Sequence, residues 1–174
     1  MKTGAISFSL LAISVLVLDG LQAGVLFGQS RILGAHELTD QAEIVAVGTV
    51  AGMKPEWNAD KTRIFTRVTV SVSEILKGGG EQQLSILTPG GEIGEVGEMY
   101  FGTPRFAKDE EVVVFVKKGP DRVFTVVGGA QGKATITRET TTGAKMVGQT
   151  MKLDELVANV KAALRAPRPE EKKP

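Results

Sequence analysis

Apolar and polar positions alternate most clearly between Thr62 and Glu74, with Ile64, Val68, Val70 and Val72 on one face and Phe65, Arg67, Thr69, Ser71 and Ser73 on the other. A period of two predicts a strand with one face in a core and one largely wet. Upstream, Glu43–Met53 (EIVAVGTVAGM) is rich in β-branched residues and interrupted by Gly48, which predicts a first strand with a bulge or bend. The intervening Pro55–Lys61 reads as a turn and carries Trp57. Gly78-Gly79-Gly80 ends the second strand, and Gln82–Leu87 returns antiparallel to it as a third.

Val112–Val116 (VVVFV) shows no alternation, the pattern of a strand buried on both faces. Lys117–Asp121 turns it into a strand at Arg122–Val127, Gly128-Gly129 leads to another at Lys133–Arg138, and Met146–Met151 is a possible short seventh. The period then changes. Leu153, Leu156, Val157, Val160 and Leu164 fall at helical spacing, with Asp154 and Glu155 near the N-terminal end and Lys161 and Arg165 towards the other. A polar lead over Gly34–Gln41 predicts one helical turn. Residues 34–165 thus read as one mainly antiparallel β domain closed by a C-terminal amphipathic helix.

The first thirty residues have a different role. Lys2 precedes an uncharged run from Ala5 to Leu18, the positive and apolar regions of a secretory signal, with cleavage expected after Ala23 or, later, after Ser30. The rival is an uncleaved anchor over Ala5–Gly28, which would hold Asp19 mid-bilayer at a cost of about 3 kcal/mol. The expectation is a periplasmic or secreted protein, touching membrane only if this segment stays attached. Residues 166–174, rich in proline and charge, read as a disordered tail.

Composition removes several chemistries. The chain has 21 basic and 20 acidic residues, one histidine and no cysteine, so no disulfide scaffold, thiol nucleophile or Cys/His zinc site is expected. Near-neutral charge with one Trp and one Tyr argues against nucleic-acid binding. His36 lies in the polar lead without a G-x-S-x-G partner motif, and Ser71 and Ser73 sit on a wet strand face. Gly128–Thr135 (GGAQGKAT) resembles a phosphate loop, but in register its first glycine falls on Val127 and its hydroxyl on Ala134. Its glycines are better read as a strand bulge or a close backbone crossing. Asp109-Glu110-Glu111 reads as a solvated turn before the buried strand. No catalytic residue, metal or cofactor is assigned.

The runs 41–50 (QAEIVAVGTV), 64–78 (IFTRVTVSVSEILKG) and 88–91 (TPGG) resemble a group of exported bacterial proteins of unassigned function and, more distantly, netrin-like and metalloproteinase-inhibitor domains. The resemblance covers Gln41–Gly91. It implies an antiparallel OB-like β-barrel of about five to seven strands with a helix packed against it. The inhibitors use an N-terminal cysteine on the protease zinc, and with no cysteine here that mechanism does not carry over.

Thr88–Glu110 carries two prolines, five glycines and no β-branched run, so it reads as one long connection, a place where function concentrates. Within it G-E-I-G-E-V-G-E spaces Glu92, Glu95 and Glu98 by three; a calcium loop is one reading, but neither the EF-hand nor the nonapeptide pattern is present. The apolar residues Ile93, Val96, Met99, Tyr100, Phe101 and Phe106 either form an exposed recognition loop or fold back to plug the barrel end. On the first reading Met99, Tyr100, Phe101 and Arg105 are the contact anchors. Trp57 either caps the core or joins that contact. The function expected is a non-enzymatic binding or interaction module of the envelope or extracellular space, its partner an unidentified extracytoplasmic protein or ligand. The alternatives are a carboxylate-dependent hydrolase using Glu92, Glu95 and Asp109, and a structural envelope protein tethered by its tail.

Overall fold

The computed structural model describes residues 32–120, 123–148 and 150–166. The segment expected to be a secretory signal and nearly all of the expected tail, positions 167–174, lie outside them. Among the described residues there are two α-helices and ten strands. The long strands are β1 (Ile44–Trp57), β2 (Ile64–Lys77), β3 (Gln83–Pro89) and β6 (Glu111–Lys118). The shorter ones are β4 (Gly91–Ile93), β5 (Val96–Glu98), β7 (Phe124–Val126), β8 (Lys133–Arg138), β9 (Lys145–Val147) and β10 (Met151–Lys152). Helix α1 is Ala35–Gln41 and α2 is Leu153–Arg165.

Strands pair in the order β1-β2-β3-β7-β6, and β6 returns to β1, which closes a five-stranded OB-like barrel. One joint differs from the antiparallel expectation: β3 and β7 meet in parallel, through the single pair Ile86 and Phe124. The barrel is therefore mixed. Beyond β6, β8 continues the sheet outward into a small β8-β9-β10 extension. Where one short strand was expected at Met146–Met151, a turn at Gly148 splits the segment into β9 and β10, which pair Val147 with Met151.

The unbroken apolar run of β6 is explained by two cores lying back to back. Val112, Val114 and Val116 point into the barrel with Ala46, Val50, Val68, Val70, Leu84, Ile86 and Phe124. Val113 and Phe115 point outward into a second layer with Val45, Val47 and Leu76, covered by Leu38 and Ala42 beside α1 and by Leu153, Leu156 and Val160 of α2. Each fully buried valine or leucine contributes about 1.5–3 kcal/mol, so this wall is the most heavily stabilised part of the molecule. The helical period places α2 correctly, with one change: Ala163 is buried and Leu164 is half exposed.

Strand β1 is long and must curl to serve two neighbours. Its register with β2 slips between Val45 and Ala46, Val47 and Gly48, and Val50 and Gly52. Such bulges bend and twist a strand. Gly48 is required there, since a Cβ would stand 2.4 Å from the Ser71 carbonyl oxygen. The strand also runs further than its sequence suggests, through Pro55 to Trp57, so the turn is confined to 58–63. Pro55 fits because past Thr49 the outer edge of β1 no longer pairs with β6, and the missing N–H faces that open edge.

The former phosphate-loop candidate forms a 3₁₀ turn at Gly129–Gly132. It is a close backbone crossing: a Cβ on Gly132 would lie 2.0 Å from the Val127 carbonyl oxygen.

Candidate functional site

The segment after β3 is not featureless. Its first part folds into a hairpin, β4 and β5, pairing Gly91 with Glu98 and Ile93 with Val96. The glycines that argued for a loop supply its tight turn at Gly94, where φ is +62°.

This hairpin is tied to the start of β2. The Gly90 N–H donates to the Ile64 carbonyl at 2.8 Å, and the Thr66 hydroxyl donates to the Gly90 carbonyl at 2.7 Å. Glu98 Oε2 accepts the Ile64 N–H at 3.1 Å and the Tyr100 hydroxyl at 2.8 Å. The Arg63 guanidinium stands 5.9 Å from the Tyr100 ring centroid. The phenol's pKa is raised above 10.0 because its proton is donated to the Glu98 carboxylate; desolvation and the Glu98 charge add to this, and Arg63 opposes it.

The far end of the segment is anchored just as firmly. The Asp109 N–H donates to the Val50 carbonyl and the Val50 N–H to the Glu110 carbonyl, both at 2.9 Å. Phe106 packs against the barrel interior, with the Lys133 ammonium 5.6 Å from its ring. Glu110 does not sit in a solvated turn. Its side chain is largely buried and pairs with Lys133, which is also largely buried, while accepting the Thr135 hydroxyl and the Ala107 N–H. Burial pushes its pKa up, but the hydrogen bonds from Lys133, Thr135 and Ala107 and the Lys133 charge outweigh that and lower it. Glu111 likewise pairs with Lys145. The reading of all three acids as solvated therefore fails for two, because β8 and β9 bring lysines to them from more than twenty residues away.

Between these anchors a cleft of about 550 Å³ opens at one end of the barrel, within the range typical of small-molecule sites. Val68, Phe106 and Met53 give it an apolar floor, Thr66 and Thr88 mark the transition to polar lining, and Tyr100, Pro104 and Arg105 stand around it. Thr66 and Thr88 are directly paired across β2 and β3, in the same inward phase as Val68 and Ile86. The inward row turns from valine and isoleucine to threonine at this pair, both of which line the cleft.

Of the sequence-predicted anchors, Met99, Tyr100 and Arg105 come together around this cleft. Phe101 does not line it and is fully exposed at 108%. Trp57 is half-buried at the end of β1, paired with Ile64, and is also not a lining residue. The connection is thus both plug and rim: Phe106 packs inward, while Val96, Met99 and Phe101 face out. The residues sequence reasoning missed are Met53, Thr66 and Thr88. The two threonines were legible as polar interruptions in the inward row of β2 and β3.

Glu92, Glu95 and Glu98 do not converge. Glu98 is engaged by Ile64 and Tyr100, Glu92 lies on β4 and Glu95 in the hairpin turn. Among the described residues no three His, Cys, Asp or Glu side chains stand close enough to hold a metal ion. His36 lies 3.5 Å from Asp40 along exposed α1, far in sequence from any cleft residue. No described helix is long and apolar enough to cross a membrane.

Fold and site together define an OB-like barrel with an open, largely apolar mouth. No known protein-family model matches the chain, and no curated protein matches it.

Proposed function

We propose that this protein is an exported, non-enzymatic binding module that meets its partner at the barrel mouth. The observation that carries the reading is the clustering of exposed apolar side chains: of the six large ones among the described residues, Met53 and Met99 line the cleft, Val96 lies on the hairpin beside it and Phe101 three residues beyond that hairpin. Exposed apolar groups gathered around a cleft, rather than scattered, mark interaction surfaces. The anchored ends of the connection add preorganisation, since a rim held by backbone hydrogen bonds loses little freedom on binding. Export rests on the signal pattern of residues 1–23, and N-terminal sequencing of protein recovered from the medium or periplasm tests it.

Affinity capture from an envelope-plus-medium fraction, run with the wild type and with Tyr100→Ala/Phe101→Ala, tests the contact surface. The expected result is a partner retained by the first and lost by the second, with both variants folded by circular dichroism. Equal retention by both would remove the mouth as the contact surface.

A further inference from the structure

We infer that the barrel-mouth cleft takes a small carboxylate with an apolar body, the apolar part resting on Val68 and Phe106 and the carboxylate facing Arg105. The inference rests on the reading of the mouth as the binding surface and adds the class of ligand. It follows from which polar groups at the cleft still have bonding capacity. The acceptor side is engaged: Glu98 Oε2 receives two hydrogen bonds, and the Gly90 carbonyl receives the Thr66 hydroxyl. The Tyr100 proton is given to Glu98, so the phenol has no donor left for a ligand.

Two donors remain. The guanidinium of Arg105, an exposed side chain, reaches Met99 Sδ and pairs with no carboxylate among the described residues, so most of its N–H groups meet only solvent. Thr88 is 94% buried in residue terms, being 6% exposed, yet its hydroxyl reaches only the neighbouring Pro89 carbonyl at 3.5 Å, too long for a good hydrogen bond. A buried hydroxyl without a proper partner is costly and is satisfied by a ligand acceptor. Arg63, over the Tyr100 ring, adds a second positive charge nearby. Glu92 and Glu98 are the opposing charges of the lining: Glu92 is exposed on β4, where solvent screens it, and Glu98 has its Oε2 turned to the Ile64 N–H and the Tyr100 hydroxyl. Donors over an apolar floor select an acceptor head on an apolar body, and guanidinium favours carboxylate through paired N–H bonds.

The test is calorimetric titration of the full chain with octanoate, octylammonium and octanol, which share one chain and differ in the head group. Octanoate is expected to bind at least tenfold more tightly than octylammonium. Arg105→Gln should weaken octanoate about tenfold and leave octanol unchanged, and Thr88→Val should weaken octanoate by a smaller factor. Residues 1–31 are common to every variant, so a change in octanoate affinity on substitution reports the cleft. Octylammonium equal to octanoate, or an Arg105→Gln variant that binds octanoate like wild type, would overturn the carboxylate assignment. Absence of binding by all three would overturn the small-ligand inference. Leu164→Ala, at an exposed position of α2 that lines no part of the cleft, should leave octanoate affinity unchanged; partner capture is read with a different variant and a different ligand, so failure here and failure there are separately visible.

Discussion

The flank of the barrel covered by the helices and its open mouth use similar side chains to opposite ends. On the flank, Val45, Val47, Val113 and Phe115 are buried under α1 and α2, which bring a complementary apolar stripe across several turns. At the mouth, the cover is a hairpin of three-residue strands, held mainly by polar contacts to β2, and Val96, Met99 and Phe101 stay in solvent. A helix can lay many side chains on a sheet at once, whereas a short hairpin has too few to close an opening of this size. Stability is therefore concentrated on one side of the barrel, and the other side is left free to bind, the division expected where a rigid scaffold carries a functional loop.

Five substitutions sharpen this contrast. The largest effect belongs to the flank: Phe115→Ala removes a ring that is 2% exposed and should cost about 3–5 kcal/mol, while Phe101→Ala should fall within about 0.5 kcal/mol of wild type. Urea unfolding followed by circular dichroism reads both, and equal losses would erase the distinction between flank and mouth.

An intermediate effect belongs to the joint between them. Glu110→Ala leaves the Lys133 ammonium without its partner and should cost about 2–3 kcal/mol. Because folding lowers the Glu110 pKa, its contribution is complete above the ordinary carboxylate value of 4.5 and is lost as pH falls through the lower folded value. Urea midpoints from pH 6 to pH 3 should fall less steeply in Glu110→Gln than in the wild type. Parallel curves would mean that the pair does not hold the carboxyl ionised.

The smallest effect is optical. Tyr100 is the single tyrosine of the chain, so alkaline absorbance titration reports it alone. Its midpoint should lie above 10.0 and move down in Glu98→Gln, where the carboxylate that holds the proton is gone. An unshifted midpoint in that variant would remove Glu98 as the cause.

Much of the fold could be read in the chain because it depends on local periodicity. The alternation of β2, the doubly buried VVVFV run and the switch to helical spacing at Leu153 each report a side chain's direction through a fixed period, and each matches an observed element. Reading failed where long-range pairing overrode local signals. Pro55 ended the first strand on paper, yet β2 pairs with it and carries β1 on to Trp57. The glycines of 90–102 argued for an unstructured connection, and backbone pairing across them made a hairpin. For the cleft, Met99, Tyr100 and Arg105 were visible as an unusual composition in a long connection. Phe106 was visible there too, as a residue that could fold back; its meeting with Met53 of β1 and with Thr66 and Thr88 of the paired β2 and β3 was not, because no local period relates those segments.

What the amino-acid order determined by itself is the set of long strands, the faces they bury and the terminal helix, since these follow from side-chain period and turn chemistry within a few residues. The tertiary structure alone decided the parallel joint of Ile86 with Phe124, the pairing of Glu110 with Lys133 and the outward turn of Phe101 beside the inward turn of Phe106. Long-range strand pairing, in the closing of the barrel and in the β8 extension, is the physical reason. It brings segments together that are distant in sequence, and neither the partner of a buried charge nor the side of an opening on which a ring comes to rest is encoded in any local period.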